Sequence, residues 1–406
     1  MNARPSRTWP LAWCLVLSAS PVLAQSVWSG DFRNGDFSAY GRIYCGAYSG
    51  GGSCPGGVQD NPTPSTVEPA CPAPDEAGCR FTLTAPPPSP PGKYTPAGPA
   101  LRVVVAHTPD APQGDEEGDR APGLNQPWGR DHRNELVNPL DGAAARAPDL
   151  GNPGSYRLVP GYYTEGDERW FGWSTYIPRD DEWQGTFPDP TVSRSTSPNW
   201  HVLFQIHSVG ACDANGPNLS IGIDRTDGDQ GAYETGTRYQ FTLNKRDTYS
   251  TSDALNYTPG AAPGRDGHYR LWPHYDPANG RFNPVSTATK GEWHTFVLHV
   301  VFSANPNKGV VELWMDGVKR YPGTGDPSTR ATLYRFPSTP CAGEDMSWFI
   351  AGKPMPVYVA TGLYRSRFQL PTDTLYQADL KSTADTNGCR LVDPLQGQNC
   401  PPVKRR

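Results

Sequence analysis

From residue 100 onward, apolar and polar positions alternate with a period of two, in runs of three to ten residues. That is the spacing of a strand with one face against a core. The runs 101–105, 135–137, 169–177, 202–207, 239–243, 293–302, 310–314, 348–350, 357–364 and 374–380 are therefore expected strands, each closed by Gly, Pro, Asn or Asp. None is followed by a convincing helical pattern. The expectation is an all-β chain, a β-sandwich of two packed antiparallel sheets with long loops. Within 313–318, Asp316-Gly317 supplies the positive φ angles of a tight hairpin turn. Segment 26–43 is expected to contribute a first strand to the same sandwich.

Composition changes this picture in two places. Residues 46–98 carry Gly-Gly-Gly, repeated Pro and three cysteines, with Cys45 at the edge. They read as an irregular, disulfide-clipped insertion in a single domain spanning 25–385, because they lack apolar strands. Residues 1–24 read as a secretory signal: Arg4 and Arg7, a short apolar centre over 11–17, then Val22-Leu23-Ala24 before Gln25. The apolar run is too short for a membrane span, and the bulky Trp13 before Cys14 argues against lipid attachment. The expectation is an exported chain, secreted or periplasmic, acting off the membrane as a monomer.

Eight cysteines remain after the signal: Cys45, Cys54, Cys71, Cys79, Cys212, Cys341, Cys389 and Cys400. An even number in an exported chain favours disulfides. The expected pairs are Cys45–Cys54, Cys71–Cys79, Cys212–Cys341 and Cys389–Cys400, the last inside the C-terminal tail 386–406. Spacing alone leaves other pairings open. No paired C-x-x-C spacing exists and the histidines lie away from the cysteines, so no metal site is expected. Asp224, Asp227 and Asp229 lack EF-hand spacing and read as a solvated turn rather than a calcium loop. No cofactor is expected.

The formal charge of −5 argues against a nucleic-acid binder. A local basic cleft in an acidic protein can still hold a polyanion. Three motifs have the chemistry for one. In Phe204-Gln205-Ile206-His207, strict alternation puts His201, Leu203, Gln205 and His207 on one face, with Gln205 and His207 about 7 Å apart. An amide beside an imidazole suits a site that holds a carboxylate and moves a nearby proton. In Arg133-Asn134-Glu135, the carboxylate can orient the guanidinium while its other donors fork onto an anion. In Tyr358-Val359-Ala360-Thr361-Gly362-Leu363-Tyr364, two phenols share a face with small residues between them. Taken singly, these are more simply a solvated sheet face, a surface ion pair and a cross-strand aromatic pair.

Together, R-x-E-L, Q-I-H and Y-x-x-x-G-x-Y, in that order on strands, resemble polysaccharide lyases with a concanavalin-A-like jelly roll, such as alginate, glucuronan and heparin-type lyases. Residues 163–174, Gly291-Glu292-Trp293-His294 and 311–317 carry the same resemblance, which covers roughly residues 26–385 apart from the insertion. It implies β-elimination on an acidic, uronate-containing polysaccharide, giving unsaturated oligosaccharides. It implies that Arg133 and Gln205 neutralise the sugar carboxylate, that His207 neutralises or acts as base, and that Tyr364 protonates the leaving oxygen. The C5 proton is too weakly acidic until charge on the adjacent carboxylate is dispersed, and an acid must then protonate O4. Glu135, His201, Tyr358 and His268 are expected to contact substrate. Many relatives carry Lys four positions before the Tyr assigned as acid; here that position is Ala360, with Lys353, Arg365 or His201 as possible stand-ins.

His294 and His299 read as structural. His268 and His274 sit in an aromatic, basic loop suited to sugar subsites. Two other readings accompany the lyase. One is a non-catalytic carbohydrate-binding jelly roll, favoured by Ala360 and opposed by Arg133, Gln205, His207 and Tyr364. The other is a laminarinase-type hydrolase, which needs two carboxylates about 5–5.5 Å apart on a strand. The expected E-x-D-x-x-E is missing, and Asp180, Asp181 and Glu182 lie in a loop.

Overall fold

The computed structural model describes residues 27–30, 32, 40–45, 57–60, 80–105, 132–139, 143–148, 156–179, 200–208, 217–225, 239–245, 268–270, 275–276, 281–282, 290–305, 307–321, 332–333, 353–365 and 373–400. Numbered along the chain, the first ten strands are β1 (Trp28–Ser29), β2 (Tyr40–Cys45), β3 (Gly57–Asp60), β4 (Arg80–Thr84), β5 (Ala100–Val105), β6 (His132–Pro139), β7 (Ala143–Pro148), β8 (Tyr156–Tyr163), β9 (Glu168–Tyr176) and β10 (Trp200–Ser208). Then come β11 (Leu219–Arg225), β12 (Tyr239–Lys245), β13 (His268–Arg270), β14 (Tyr275–Asp276), β15 (Arg281–Phe282), β16 (Trp293–Val301), β17 (Val310–Met315), β18 (Val318–Tyr321), β19 (Val357–Arg365) and β20 (Asp373–Thr383). A short helix, α1 (Gly388–Val392), follows.

Apart from the separate β14–β15 pair, the described strands form two large antiparallel sheets. One has eight strands in the order β18-β17-β16-β9-β20-β5-β4, with β1 on β20. The other has ten, in the order β13-β12-β11-β10-β19-β6-β2-β3, with β8 on β19 and β7 on β8. This is the all-β sandwich expected from the alternation. The inward residues interleave: Trp173 of β9 stacks on Phe204 of β10 at 4.4 Å and on Phe296 of β16 at 5.1 Å. Phe171, Phe241, Ile206, Leu298 and Val359 complete the same core. Asp316 and Gly317 both take positive φ, 50° and 79°, in the hairpin turn joining β17 to β18, as Asp-Gly requires.

The span read as an irregular insertion contributes to both sheets, through β3 and β4. In β4, Phe81 is buried in the main core while Thr82 is exposed. Five residues of alternation were hidden by the Pro and Cys around them. The segment after β4 then crosses the outer face of the eight-stranded sheet. There Trp293 donates its indole N–H to the Pro87 carbonyl at 2.7 Å, and Tyr94 packs with Tyr176, Tyr376 and Trp293.

The C-terminal segment covers another part of that face. Cys389 and Val392 of α1 cover Trp170, Val297 and Trp314, and the expected Cys389–Cys400 disulfide closes the segment. Contact is so close that a Cβ on Gly172 would lie 2.1 Å from the Val392 carbonyl oxygen, which excludes any side chain there. Asp393 organises the loop by accepting from the backbone N–H groups of Leu395, Gly397 and Asn399. The signal segment, the strand expected at 348–350, and the sulfurs of the other three expected cysteine pairs lie outside the described residues. Among the described residues, no helix is long and apolar enough to cross a membrane.

Candidate active site

The outward face of the ten-stranded sheet gathers the three motifs onto adjacent strands. Antiparallel register pairs Gln205 with Ala360 and His207 with Tyr358. On the other side of β19, Arg133 pairs with Tyr364 and Glu135 with Gly362. Paired residues share a face, so Gln205, His207, Glu135, Tyr358, Ala360, Gly362 and Tyr364 all point away from the core. Their neighbours Phe204, Ile206, Leu136 and Val359 are buried inside it.

Gln205 and Glu135 meet across β19. The Gln205 amide Nε2 donates to Glu135 Oε1 at 2.7 Å, and the two residues are 1 % and 0 % exposed. They approach diagonally, over Ala360 and Gly362. A long side chain at 360 would stand in that path, so the residue that departs from the lyase pattern is also one that leaves room for this bond. Glu135, expected to touch substrate, is instead bonded to a neighbouring site residue. The Arg133 side chain lies outside the described residues.

His207 lies next to Tyr358. Their rings are 5.4 Å apart with 25° between planes, and both residues are half-buried. The His207 Nδ1 sits 3.0 Å from the Ser208 carbonyl oxygen. A carbonyl only accepts, so Nδ1 carries the ring proton and Nε2 is the nitrogen that can take another. On the far side of Tyr358, its register partner Tyr162 of β8 presents its ring edge-on at 6.4 Å and 87°. Tyr162 is fully buried. The sequence reading passed over it, although it occupies the last turn of alternation before the Thr164–Asp167 bend.

Tyr364, expected as the acid, is half-buried on the same face but six residues further along β19. At about 3.3 Å per residue that is roughly 20 Å from the level of His207. The register therefore brings Tyr358, rather than Tyr364, to the imidazole, and leaves Tyr364 level with Arg133.

His201 is displaced for a different reason. The register between β10 and β19 shifts between Val202 and Phe204, a β-bulge. One extra residue reverses the facing of everything before it. His201 consequently points into the sandwich, 1 % exposed, with Nε2 3.1 Å from Asp373 Oδ2. Arg365, its register partner, donates Nη1 to the same oxygen. Burial alone would raise the Asp373 carboxyl, but the His201 hydrogen bond and the Arg365 charge override it and hold the group below its ordinary value. The bulge also turns the Leu203 carbonyl inward, where Gln377 Nε2 donates to it at 2.9 Å. His201 is thus a structural group, and neither it nor Arg365 stands in for the missing Lys. Lys353 is exposed at the approach to β19.

His268 lies on β13, the edge strand, paired with Asn244 of β12 and three strands from β10. Its side chain and the whole of His274 lie outside the described residues. His294 donates Nδ1–H to Asp316 Oδ2 at 2.7 Å and is 3 % exposed, and His299 sits between Glu168 and Glu312. Both are held by carboxylates on the eight-stranded sheet, as a structural reading requires. Among the described residues, no group of three or more His, Cys, Asp or Glu is placed to hold a metal ion.

A family model described as polysaccharide lyase matches residues 150–377, more than half of the chain. Gln205, His207, Tyr358 and Tyr364 fall inside that span; Arg133 and Glu135 precede it. No curated protein matches the sequence. Among solved structures, an endo-β-1,4-glucuronan lyase from the fungus Trichoderma reesei is 13% identical, with a TM-score of 0.40, over 78% of this chain and 91% of its own. An alginate lyase from a Chlorella virus is 7% identical, with a TM-score of 0.33, over 88% and 98%. An alginate lyase mutant in complex with alginate trisaccharide is 12% identical, with a TM-score of 0.28, over 63% and 84%. At these scores the likeness bears on neither substrate nor site.

Proposed function

The chain belongs to the polysaccharide lyase family, and from that premise we propose that it is an exported enzyme cleaving a uronate-containing polysaccharide by β-elimination. The observation that carries this reading is the His207–Tyr358 pair on the outward face, with Gln205 two residues from the imidazole. A proton acceptor and a phenol stand side by side, next to a polar floor.

In the proposed reaction, His207 Nε2 removes the proton at C5 of the uronate. The electrons form the C4–C5 double bond as the C4–O4 bond breaks, and the Tyr358 phenol delivers a proton to the leaving O4. Between these events, negative charge accumulates on the sugar carboxylate. Donors already aimed at that charge stabilise the transition state more than the ground state. Gln205, fixed by Glu135, supplies the amide proposed for that role. Arg133, level with Tyr364 and roughly 20 Å along the strand from the imidazole, is proposed to hold the carboxylate of a more distant sugar. Tyr364 then lies further along the groove, where it would contact a more distant sugar.

The test is a panel of glucuronan, alginate, heparin and hyaluronan, followed by the ultraviolet absorbance of the unsaturated product. Rising absorbance on at least one polymer is expected. Binding to a polymer with no absorbance rise anywhere on the panel would turn the reading to a carbohydrate-binding jelly roll.

A further inference from the structure

We propose that Tyr162 is a positioning residue for this site, holding the Tyr358 ring against His207. The inference rests on the reading of His207 and Tyr358 given above.

Three aromatic side chains form a row across three neighbouring strands. Tyr162 of β8, Tyr358 of β19 and His207 of β10 are joined by successive register pairs, Tyr162 with Tyr358 and Tyr358 with His207. The members differ in freedom. Tyr162 is 0 % exposed and closed in on all sides, whereas Tyr358 and His207 are half-buried. A half-buried phenol on a strand has more than one open χ1 well. A wall on the side away from His207 favours the one that meets the imidazole.

Tyr162 is that wall. Its ring stands at 87° to the Tyr358 ring with centroids 6.4 Å apart, an edge-to-face arrangement favoured by the opposite charge of ring edge and ring face. Tyr358 is thereby held between an edge contact at 6.4 Å and a stacked contact at 5.4 Å. The wall is itself well anchored, since the next residue, Tyr163, stacks on Phe302 at 5.1 Å inside the core. Tyr162 touches neither of the proposed reacting atoms; it acts through Tyr358.

The contact is made by the ring, which separates the test variants. Tyr162→Phe keeps the edge, and kcat within about twofold of wild type is expected. Tyr162→Leu removes it, and kcat is expected to fall about three- to tenfold with KM unchanged, the population shift that an edge contact of this strength allows. If the leucine variant fails to fold, Tyr162→Met serves in its place.

A second readout needs no turnover. Tyr358 shields the His207 ring protons, so their NMR shifts report how the two rings overlap. Those shifts should move toward ordinary histidine values in the leucine or methionine variant and stay put in the phenylalanine variant. Unchanged His207 shifts in Tyr162→Leu or Tyr162→Met would overturn the proposal, as would a KM rise accounting for the whole loss. A wild-type protein that cleaves no polymer on the panel would sink the lyase reading, while the shifts would still decide whether Tyr162 sets the ring pair.

Discussion

Each sheet carries one histidine paired in register with an aromatic ring on its outer face, and the two pairs have opposite fates. On the eight-stranded sheet, His299 stacks on Trp170 at 4.0 Å. Its Nδ1 meets Glu312 at 3.0 Å, its Nε2 meets Glu168 at 2.8 Å, and α1 packs over the Trp. On the ten-stranded sheet, His207 stacks more loosely on Tyr358, and its Nδ1 is held by a backbone carbonyl. Side-chain carboxylates take both nitrogens of the first ring, whereas on the second a main-chain oxygen fixes the tautomer. Both rings are half-buried. The difference lies in what holds them: two carboxylates for His299, a backbone carbonyl at Nδ1 for His207.

The sharpest way to break that comparison is to remove the phenol that the register selects. Tyr358→Phe is expected to lower kcat on the preferred polymer by about 10²–10⁴-fold, the range for losing a positioned acid. Tyr364→Phe is expected to cost much less and to raise KM, because Tyr364 lies about 20 Å further along the strand. Steady-state kinetics on both variants decide the matter. The reverse order would move the chemistry to the Tyr364 end, beside Arg133, and leave the His207–Tyr358 pair as a second packing motif.

The face covered by α1 is tested through its clip. The Cys389–Cys400 bridge closes a loop with a sequence separation of 11, pressing α1 onto Trp170 and Trp314. Replacing both cysteines by Ser should cost about 3 kcal/mol in urea unfolding. It should leave kcat unchanged, since the clip lies on the opposite sheet from the site. A loss of kcat without loss of stability would mean that the two outer faces are coupled through the core.

How much of this was legible follows from what each feature depends on. Strand alternation depends on neighbouring residues, so the runs at 101–105, 169–177, 202–207, 293–302 and 357–364 could be read directly, and the Asp316-Gly317 turn with them. β4 was lost because Phe81 and Leu83 sit in a stretch dominated by Pro, Gly and Cys. The bulge after Val202 left no mark in composition, and without it strict alternation assigns His201 to the wrong face. The three motifs were legible as residue types but not as partners. Choosing between Tyr358 and Tyr364 needs the register of β10 against β19, which nothing within either strand specifies. Ala360 read only as a missing Lys, because its use in giving Gln205 a path to Glu135 lies on other strands.

The smallest effect tests the carboxylates around His299. Glu312 is held at about 2, below its ordinary 4.5, first by the His299 hydrogen bond, which with Lys319 outweighs the opposing effect of burial. A carboxyl depressed in the folded state contributes stability above its unfolded value, and that contribution is lost as pH falls through the folded one. Glu312→Gln should therefore be less stable than wild type at neutral pH by about 0.5–1 kcal/mol, because the pair is partly solvated. The gap should close between about pH 4.5 and about pH 2. Thermal unfolding across that window reads it directly. Activity at neutral pH should not change, since Glu312 lies on the sheet opposite the proposed site. A gap that persists below pH 2 would show that the side chain stabilises through packing, and that carboxylates are not what set His299 apart from His207.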